Sequence, residues 1–525
     1  MKKISIYDTT LRDGVQGEGV SFSSIGKVHL ALRLDEFGVD YIEGGYAGSN
    51  PKDMEFFRAI KKETLSHAKI AAFGSTRRAG KTVEEDPGMQ ALIEADTEVV
   101  TIFGKAWELH VHEVLRVTPE ENLAMIRDSV AYLKSRGREV IYDAEHFYDG
   151  YKANSEYALA SVRAAAEAGA DRVVLCDTNG GCLPDEIFTI TEEVGRLLDV
   201  PIGIHTHNDA GLADANSLEG VRAGATQVQG TINGFGERTG NANLCTILPC
   251  LMLKMECGTS VRLEELRQVS LYAYELSNVR PDKKDPFVGE SAFAHKAGMH
   301  VNGVQKNPVS FEHTDPASVG NKRRVLISEL SGASNIFLKA VEMGMQFQKN
   351  DPELKNILHE MERLEKDGYE YEAAEASFKL MIQKVLKQHK PFFNLEGFRV
   401  IVEKRNVDEP CISEATVKLS VNGEEELTAG EGHGPVDALN QAMRRALTRF
   451  YPGIEDVYLT DYRVRILDPE EATAAKTRVL IESSDGVNNW GTVGVSENLI
   501  EASWEALVDS VEYKLLLEEQ QSLQK

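Results

Sequence analysis

Two histidines lie two positions apart in "HTHND" (205–209), directly after the apolar run that begins at Ile202. Residues two apart on a β-strand point to the same side, so His205 and His207 would project together. Paired imidazoles in this arrangement are typical of a divalent-metal site. We therefore interpret the pair as two candidate metal ligands rather than as histidines that only pack in a core.

Two further residues could complete a ligand set with oxygen atoms. Asp13 lies in "YDTTLRDGVQGEG" (7–19), a polar stretch that follows a short predicted strand. Because buried carboxylates are costly unless paired or metal-bound, this stretch either turns to solvent or builds a site. Asp13 is the natural carboxylate donor, and Asn241 in "GERTGN" is a candidate neutral fourth ligand. Nitrogen and oxygen ligands without thiolate allow Mg²⁺, Mn²⁺ or Zn²⁺ and do not choose among them.

Arg12 adjoins the proposed ligand Asp13. A guanidinium beside a metal suits a substrate carboxylate or an oxyanion that develops during a reaction. A salt bridge to Asp8 or Glu43 is the alternative, and the sequence alone leaves both open.

Two residues after predicted strands could take part in proton transfer or substrate binding. Glu145, in "DAEHF", could act as an acid or a base. Thr178 could bind a substrate carboxylate through its hydroxyl group, although a threonine after Asp177 is also a common turn residue. Both side chains would have to lie at the same end of the predicted fold as the metal ligands.

The elements that would position these residues alternate between strand and helix up to about residue 250. Strict alternation requires a parallel sheet, and eight units in roughly 250 residues predict a (β/α)8 TIM barrel. An open doubly wound sheet is the competing fold, but its GxGxxG turn is missing and polar residues follow nearly every predicted strand. In a barrel, all these strand ends meet at one face. The predicted strands are 4–7, 39–42, 69–73, 99–103, 139–143, 172–176, 202–205 and 227–232.

We divide the chain into a catalytic barrel over residues 1–275, helical linker subdomains over 276–387 and an α+β domain over 388–525. "RPDKKDPF" (280–287) is interpreted as a linker. The division follows the change from helical, charged sequence to longer alternating strands near residue 390.

The last region is predicted to be a twofold repeat of a strand–strand–helix unit. Its predicted helices, Pro435–Phe450 and Leu499–Leu517, each follow a strand and a glycine-containing turn, and Thr428 and Thr492 hold matching places. We interpret "EEE" (424–426) as a solvated turn. A pseudo-symmetric region without a cluster of catalytic residues predicts a ligand-binding or dimerising module.

Composition excludes several functions. The formal charge of −25, from 58 basic and 83 acidic residues, argues against a nucleic-acid binder. No apolar run approaches the ~18 residues that cross a bilayer, and the amino terminus lacks the apolar stretch of a signal peptide, so we expect a cytoplasmic protein without a membrane partner. Six cysteines without a CxxC pair indicate neither disulfides nor a thiolate metal site.

Four motifs taken together resemble the family of α-isopropylmalate, homocitrate and citramalate synthases: "DTTLRDGVQ", "HTHND", "GFGERTGNANL" and "AFAHKAGMHVNGVQKNP". The resemblance spans the whole chain, because "GEGHGPVDALNQAMRRAL" is similar to the family's carboxy-terminal regulatory domain. Members are metal-dependent TIM-barrel enzymes that condense acetyl-CoA with a 2-oxo acid. "EGGYAGSNPKD", "CDTNGG" and "SENLIEASWEALVDSVEYKL" are most similar to the long citramalate synthases of that family.

The resemblance implies a role for each candidate residue. It makes Asp13, His205 and His207 metal ligands, Asn241 a fourth or nearby group, Arg12 and Thr178 binders of the 2-oxo acid, and Glu145 the catalytic glutamate.

His300, in "GMHVNG", matches a catalytic histidine that family members usually supply to a neighbouring subunit, which implies a homodimer or a higher homo-oligomer. This chain departs from the family in that segment: Asn302 stands where an aspartate is common, and Phe311 where a tyrosine is common. The division of acid–base roles between His300 and Glu145 therefore stays open.

The implied reaction condenses acetyl-CoA with pyruvate and water to give citramalate and CoA, with isoleucine as the expected effector. A larger 2-oxo acid is the alternative, because a pocket rejects one methylene by only about 1 to 3 kcal/mol. A TIM-barrel metal hydrolase or a barrel that has lost its activity represents a different class. The hydrolase would usually need further metal ligands on later strands, and the inactive barrel should have lost a ligand.

Overall fold

Eight parallel strands close a barrel in the amino-terminal half of the computed structural model. β1 pairs with β2 on one side and with β8 on the other, which closes the ring. All eight predicted strands are confirmed, and the largest shift is in β2, which continues to Tyr46. The strands are β1 Ser5–Asp8, β2 Tyr41–Tyr46, β3 Lys69–Ser75, β4 Val99–Lys105, β5 Glu139–Glu145, β6 Arg172–Asp177, β7 Ile202–Thr206 and β8 Gln227–Gly230.

The structure describes residues 2–48, 51–296, 298–326, 351–371, 373–467 and 475–524, together with residues 337, 340, 341 and 347. Helices follow the strands around the barrel. Those of six residues or more are α1 Ser24–Phe37, α2 Pro51–Ile60, α3 Pro87–Ala95, α4 Pro119–Ser135, α5 Phe147–Ala153, α6 Ser155–Glu167, α7 Pro184–Leu197, α8 Ala213–Arg222, α9 Leu244–Pro249 and α10 Leu266–Ser277.

Local sequence explains where the barrel helices begin and end. Thr118 caps α4 by accepting the backbone N–H of Glu121, and Pro119 occupies the first turn, where its missing N–H costs nothing. α6 is followed by Gly169, whose φ of +99° lies in the left-handed region that glycine adopts easily. Capping signals in the sequence thus coincide with the start of α4 and the end of α6.

Alternation along the strands separates two apolar layers. Val100 and Ile102 face the helices in the main core, whereas Val99 belongs to a smaller cluster that also holds Tyr7 and Cys176. Cys176 is buried on β6. All six cysteines are free thiols.

Two compact units make up the chain: Met1–Phe293 with Glu312–Arg323, and Ala294–Phe311 with Arg324–Lys525. The interpretation of 280–287 as a linker is wrong, because this stretch packs within the barrel unit. Phe287 is buried in the barrel core, and the Tyr274 hydroxyl donates to Asp285 over 2.6 Å. Burial of the apolar Phe287 side chain stabilises this position by more than hydration of the preceding charged residues favours a free, solvated stretch.

The described residues of the second unit form the strands β9 Ala294–His295, β10 Arg324–Val325, β11 Asn394–Glu403, β12 Ile412–Val421, β13 Glu424–Gly432, β14 Tyr458–Ile466, β15 Thr477–Ser484 and β16 Asn489–Ser496. β11–β12–β13 and β14–β15–β16 are antiparallel sheets of three strands each, and β9 and β10 form a short parallel pair. The helices among these described residues are α11 Gly298–Lys306, α12 Glu353–Lys366, α13 Glu375–Val385, α14 Pro435–Thr448 and α15 Leu499–Gln524.

The predicted twofold repeat is present, but each copy has three strands before its helix. Thr428 Oγ1 donates to the carbonyl of Ala442 over 2.7 Å, and Thr492 Oγ1 donates to that of Ala506 over 2.8 Å. These equivalent contacts join the third strand of each copy to its helix.

The turn predicted at 424–426 is wrong, and the predicted glycine turns at 428–434 and 492–498 are too long, because most of these residues belong to strands β13 and β16. A Cβ on Gly430 would lie 2.6 Å from the backbone nitrogen of Ala442, and one on Gly494 would lie 2.1 Å from the carbonyl oxygen of Ala502. These glycines let a helix pack closely on the sheet. Among the described residues, no helix has both the length and the apolar character needed to cross a membrane.

Candidate active site

Asp13, His205 and His207 converge at the carboxyl ends of β1 and β7. The Oδ2 atom of Asp13 lies 3.3 Å from Nε2 of His205 and 3.9 Å from Nε2 of His207. The two Nε2 atoms are 3.1 Å apart. All three side chains are buried, with 2 to 6% of each residue exposed. The structure thus brings together the three ligands that the sequence predicts.

Backbone geometry explains why the histidines share a side. The intervening Thr206 points the other way, and its hydroxyl donates to the carbonyl of Ala213 over 2.9 Å. The backbone N–H of His207 donates to the carbonyl of Asp177 at the end of β6. β7 therefore presents one histidine at its end and one just beyond it, both toward the barrel mouth.

A tight turn after β1 places Asp13. The backbone N–H groups of Arg12, Asp13 and Gly14 all donate to the carbonyl of Thr9, over 2.8 to 3.1 Å. The turn folds the polar stretch back across the mouth instead of directing it to solvent. The polar stretch therefore builds a site rather than turning to solvent, the two alternatives for a stretch that contains a buried carboxylate.

Asn241 completes the donor set. Its Nδ2 donates to Oδ2 of Asp13 over 2.7 Å. Its Oδ1 is buried and has no hydrogen-bond partner among the described residues. Gly236 makes room for this oxygen, because a Cβ there would lie 2.0 Å from it. A buried oxygen without a partner next to a carboxylate is a fitting neutral ligand for a cation.

Hydrogen bonds orient the two imidazoles. Nδ1 of His205 lies 2.9 Å from Oε1 of Gln229, so it donates its N–H there and turns Nε2 toward Asp13. On His207, Nδ1 lies 3.1 Å from Nη2 of Arg238, which can only donate. Nε2 of His207 then carries the proton that points at His205. A bound cation would replace that proton, and Arg238 would have to release Nδ1.

Burial and charge set the protonation of this cluster. Burial alone would raise the pKa of Asp13, but the Arg12 guanidinium and the contact with His205 outweigh it and hold that pKa well below its usual range. Burial and the neighbouring His205 lower the pKa of His207 to about 3. An ionised carboxylate beside a neutral imidazole is the form that binds a divalent cation. The buried set of Asp13, His205, His207 and Asn241 therefore fits such an ion.

Arg12 bridges Asp13 and Glu43. Its Nη1 lies 3.0 Å from Oδ1 of Asp13, and its Nε donates to Oε2 of Glu43. Its guanidinium carbon lies 3.8 Å from the ring centre of Phe73. The salt bridge to Glu43, one alternative from the sequence, is present, whereas Asp8 accepts from Thr10 instead. Arg12 is thus held in place at the mouth with its charge retained.

Glu145 and Thr178 occupy the same face. Glu145 ends β5, and Nζ of Lys105 at the end of β4 donates to its Oε2. Oγ1 of Thr178 accepts the backbone N–H of His146 over 2.9 Å, which leaves the hydroxyl proton available for a substrate. Both residues therefore present polar groups at strand ends, as the sequence predicts.

His300 lies in the other unit, on helix α11. Its side chain is exposed, and its ring centre is 4.5 Å from that of Phe311. Its catalytic role stays a prediction.

Sequence reasoning missed three polar partners of the cluster: Gln229, Arg238 and Lys105. Gln229 had a signal, because "QVQG" places Gln227 and Gln229 on one side of a buried strand, where amides need partners. Arg238 lies in a quoted motif and has a φ of +59°, an uncommon backbone conformation for arginine. Lys105 ends β4, and only the strand register reveals its partner.

Three family models match consecutive parts of the chain. Residues 3–272 match the HMGL-like model, residues 287–368 match the homocitrate synthase post-HMGL domain-like model, and residues 372–515 match the LeuA allosteric (dimerisation) domain. Together they extend over the barrel and most of the second unit.

Curated relatives match over nearly the full length. The chain is 54% identical over 517 residues to the (R)-citramalate synthase of Geobacter sulfurreducens, covering 98% of each chain. It is 53% identical over 525 residues to the (R)-citramalate synthase of Aquifex aeolicus, covering 99% of each chain. A protein of Methanopyrus kandleri described as a probable 2-isopropylmalate synthase is 34% identical, covering 97% of this chain and 98% of the other.

Proposed function

Because this chain belongs to the HMGL-like family, and its full-length relatives at about half identity are (R)-citramalate synthases, we propose that it condenses acetyl-CoA with pyruvate and water to give citramalate and CoA. It is an acyltransferase of that type. The observation that carries the proposal is the full-length similarity together with the buried group of Asp13, His205 and His207.

We propose that Asp13, His205, His207 and Asn241 hold one divalent cation. When bound, such a cation supplies a Lewis acid that polarises a carbonyl oxygen of the 2-oxo acid. The donor set allows Mg²⁺, Mn²⁺ or Zn²⁺.

The chain's own residues bind the substrate around this position. Arg12 offers a fixed positive charge to the oxyanion that forms on the keto carbon. Thr178 donates its hydroxyl proton to the substrate carboxylate. Because Arg12 is held by Asp13 and Glu43 before substrate arrives, its charge needs little rearrangement during the reaction.

Glu145 and His300 are the proposed acid–base pair. A base removes a proton from the acetyl methyl group, the resulting carbanion forms a C–C bond to the keto carbon of pyruvate, and a proton is returned to the oxygen. Water then cleaves the thioester and releases CoA with a proton on sulfur. By resemblance, His300 acts in the active site of a neighbouring subunit, so a homodimer is the proposed catalytic unit.

We propose that residues 388–525 form the regulatory domain, residues 1–275 the catalytic domain, and residues 276–387 the subdomains that follow the catalytic domain in sequence. The match to the LeuA allosteric (dimerisation) domain supports the first assignment. Isoleucine is the proposed effector, as expected for an enzyme that makes a precursor of this amino acid.

The test measures thiol release from acetyl-CoA with pyruvate, 2-oxobutyrate, 2-oxoisovalerate and 2-oxoglutarate in turn. Pyruvate should give the highest kcat/KM, with citramalate as the product. A stronger response to 2-oxoisovalerate or 2-oxoglutarate would assign isopropylmalate or homocitrate synthesis instead. No release with any of the four would contradict the condensation.

A further inference from the structure

Lys105 and Glu145 are the last residues of the neighbouring strands β4 and β5, and they are partners in the parallel register. Nζ of Lys105 donates to Oε2 of Glu145. Both side chains are largely shielded from solvent, with 14% of Lys105 and 24% of Glu145 exposed. A close ion pair therefore lies at the barrel mouth and includes one member of the proposed acid–base pair.

Lys105 is held in place from two directions. Its carbonyl accepts from Nδ2 of Asn122 over 2.8 Å, and the same buried amide donates to the Tyr157 hydroxyl over 2.7 Å. The ammonium lies 5.4 Å from the ring centre of Phe103, within the range of a cation–π contact. The charge is thus placed before substrate binds, and acting on Glu145 requires little further ordering.

We propose that Lys105 is a positioning residue that fixes the direction of the Glu145 carboxylate. An ammonium that donates to one oxygen of a carboxylate restricts how that group can rotate. Glu145 then meets the substrate in one orientation. The proposal rests on the proposed function, because it assigns Lys105 to the reaction in which Glu145 takes part.

A purely structural role for the pair predicts different behaviour. Partly exposed ion pairs add little to stability, and β4 and β5 are joined at seven register positions. A matched control lies at the opposite end of β5, where Nζ of Lys69 donates to Oε2 of Glu139 over 2.9 Å. This second pair also joins a lysine ammonium to a glutamate carboxylate of β5, but it lies at the end of the barrel away from the mouth.

The experiment compares Lys105→Met, Lys105→Arg and Lys69→Met in the full-length protein, by thiol release with pyruvate. We expect Lys105→Met to lower kcat at least about tenfold, with a smaller change in KM. Lys105→Arg keeps the cation and should recover most of the rate. Lys69→Met should retain the kcat and KM of the unaltered chain.

Thermal unfolding of each variant separates catalysis from folding. If Lys105→Met does not fold, the comparison of Lys105→Gln with Lys105→Arg carries the same prediction. A folded variant without a cation at position 105 that keeps its kcat, or a loss matched by Lys69→Met, would overturn the proposal. An unaltered chain that releases no thiol with any 2-oxo acid would contradict the proposed function, and this proposal with it.

Discussion

Nδ2 of Asn241 donates to Oδ2 of Asp13 over 2.7 Å, although 228 positions separate the two residues in the chain. The contact joins the loop after the first barrel strand to the loop after the last. These loops become neighbours only because β1 pairs with β8. Closure of the barrel thus builds the candidate metal site, and each half of the site depends on the other for its geometry.

Removing one imidazole should abolish turnover and leave the fold intact. We expect His207→Ala to lower kcat/KM at least about 100-fold, because the proposed cation loses a ligand. His29→Ala, an exposed histidine on α1, is the control and should retain full activity. Thiol release gives the rate, and thermal unfolding reports the fold. Normal turnover by a folded His207→Ala protein would disprove the assignment of this ligand.

Asp35 should make stability depend on pH in the acidic range. Its carboxylate accepts the backbone N–H groups of Ser66, His67 and Ala68 over 2.6 to 2.8 Å. Burial alone would raise the pKa of Asp35, but these hydrogen bonds lower it. A lowered pKa in the folded state means that the contribution is present above the unfolded value of about 3.9 and is lost as pH falls through the folded value.

Asp35→Asn should therefore lower the free energy of unfolding by roughly 2 to 3 kcal/mol at pH 7, and the difference from the unaltered chain should shrink below about pH 4. Denaturant unfolding at several pH values measures this. Glu36→Gln, next to it and with 62% of its side chain exposed, should change stability little at either pH. A difference that stays constant from pH 7 to pH 3 would show that the charge of Asp35 contributes nothing.

The spacing of residues along one strand is enough to predict which histidines share a side of the site. The side chains that pair across strands are set by the register between those strands. The two-residue spacing of His205 and His207 predicts their common side without knowledge of any other strand. The pairing of Lys105 with Glu145 depends on how β4 is staggered against β5, which neither strand's sequence specifies. Contacts of this kind become visible only in three dimensions.

The third strand of each repeat shows a second limit of prediction from local sequence. Glycine usually weakens a strand, so Gly430 and Gly494 indicate turns when only local sequence is considered. Their real role is to let α14 and α15 approach the sheets, and this requires knowledge of the helix position. The matching Thr428 and Thr492 were the better signal, because a repeat is visible without knowledge of packing.

Gly491 should not tolerate a side chain. A Cβ there would lie 1.8 Å from the carbonyl oxygen of Ala373, so β16 or the segment before α13 would have to move. We expect Gly491→Ala to destabilise the second unit by about 2 to 3 kcal/mol. Gly397→Ala in β11, with no atom within 4 Å of the added group, is the matched control. Equal unfolding midpoints for the two variants would contradict the described packing.

Isoleucine should inhibit the full-length enzyme, and a chain that ends at Gln388 should keep some catalysis and lose the inhibition. Truncation also uncovers Phe378 and Met381, which pack in the same cluster as Val493, so stability should fall. Initial rates with and without isoleucine measure the effect, with leucine as the comparison. A full-length enzyme that responds to neither amino acid would contradict the regulatory assignment.

We propose that one divalent cation, held between β1 and β7, makes pyruvate reactive toward the acetyl group. The most direct test measures the metal content and thiol release of the unaltered chain and of Asp13→Ala, before and after treatment with a chelator. We predict about one ion per unaltered chain, loss of activity on removal, recovery on adding a divalent cation, and no ion in a folded Asp13→Ala protein. Full turnover of pyruvate by the metal-free chain, or equal metal affinity in Asp13→Ala, would contradict the account.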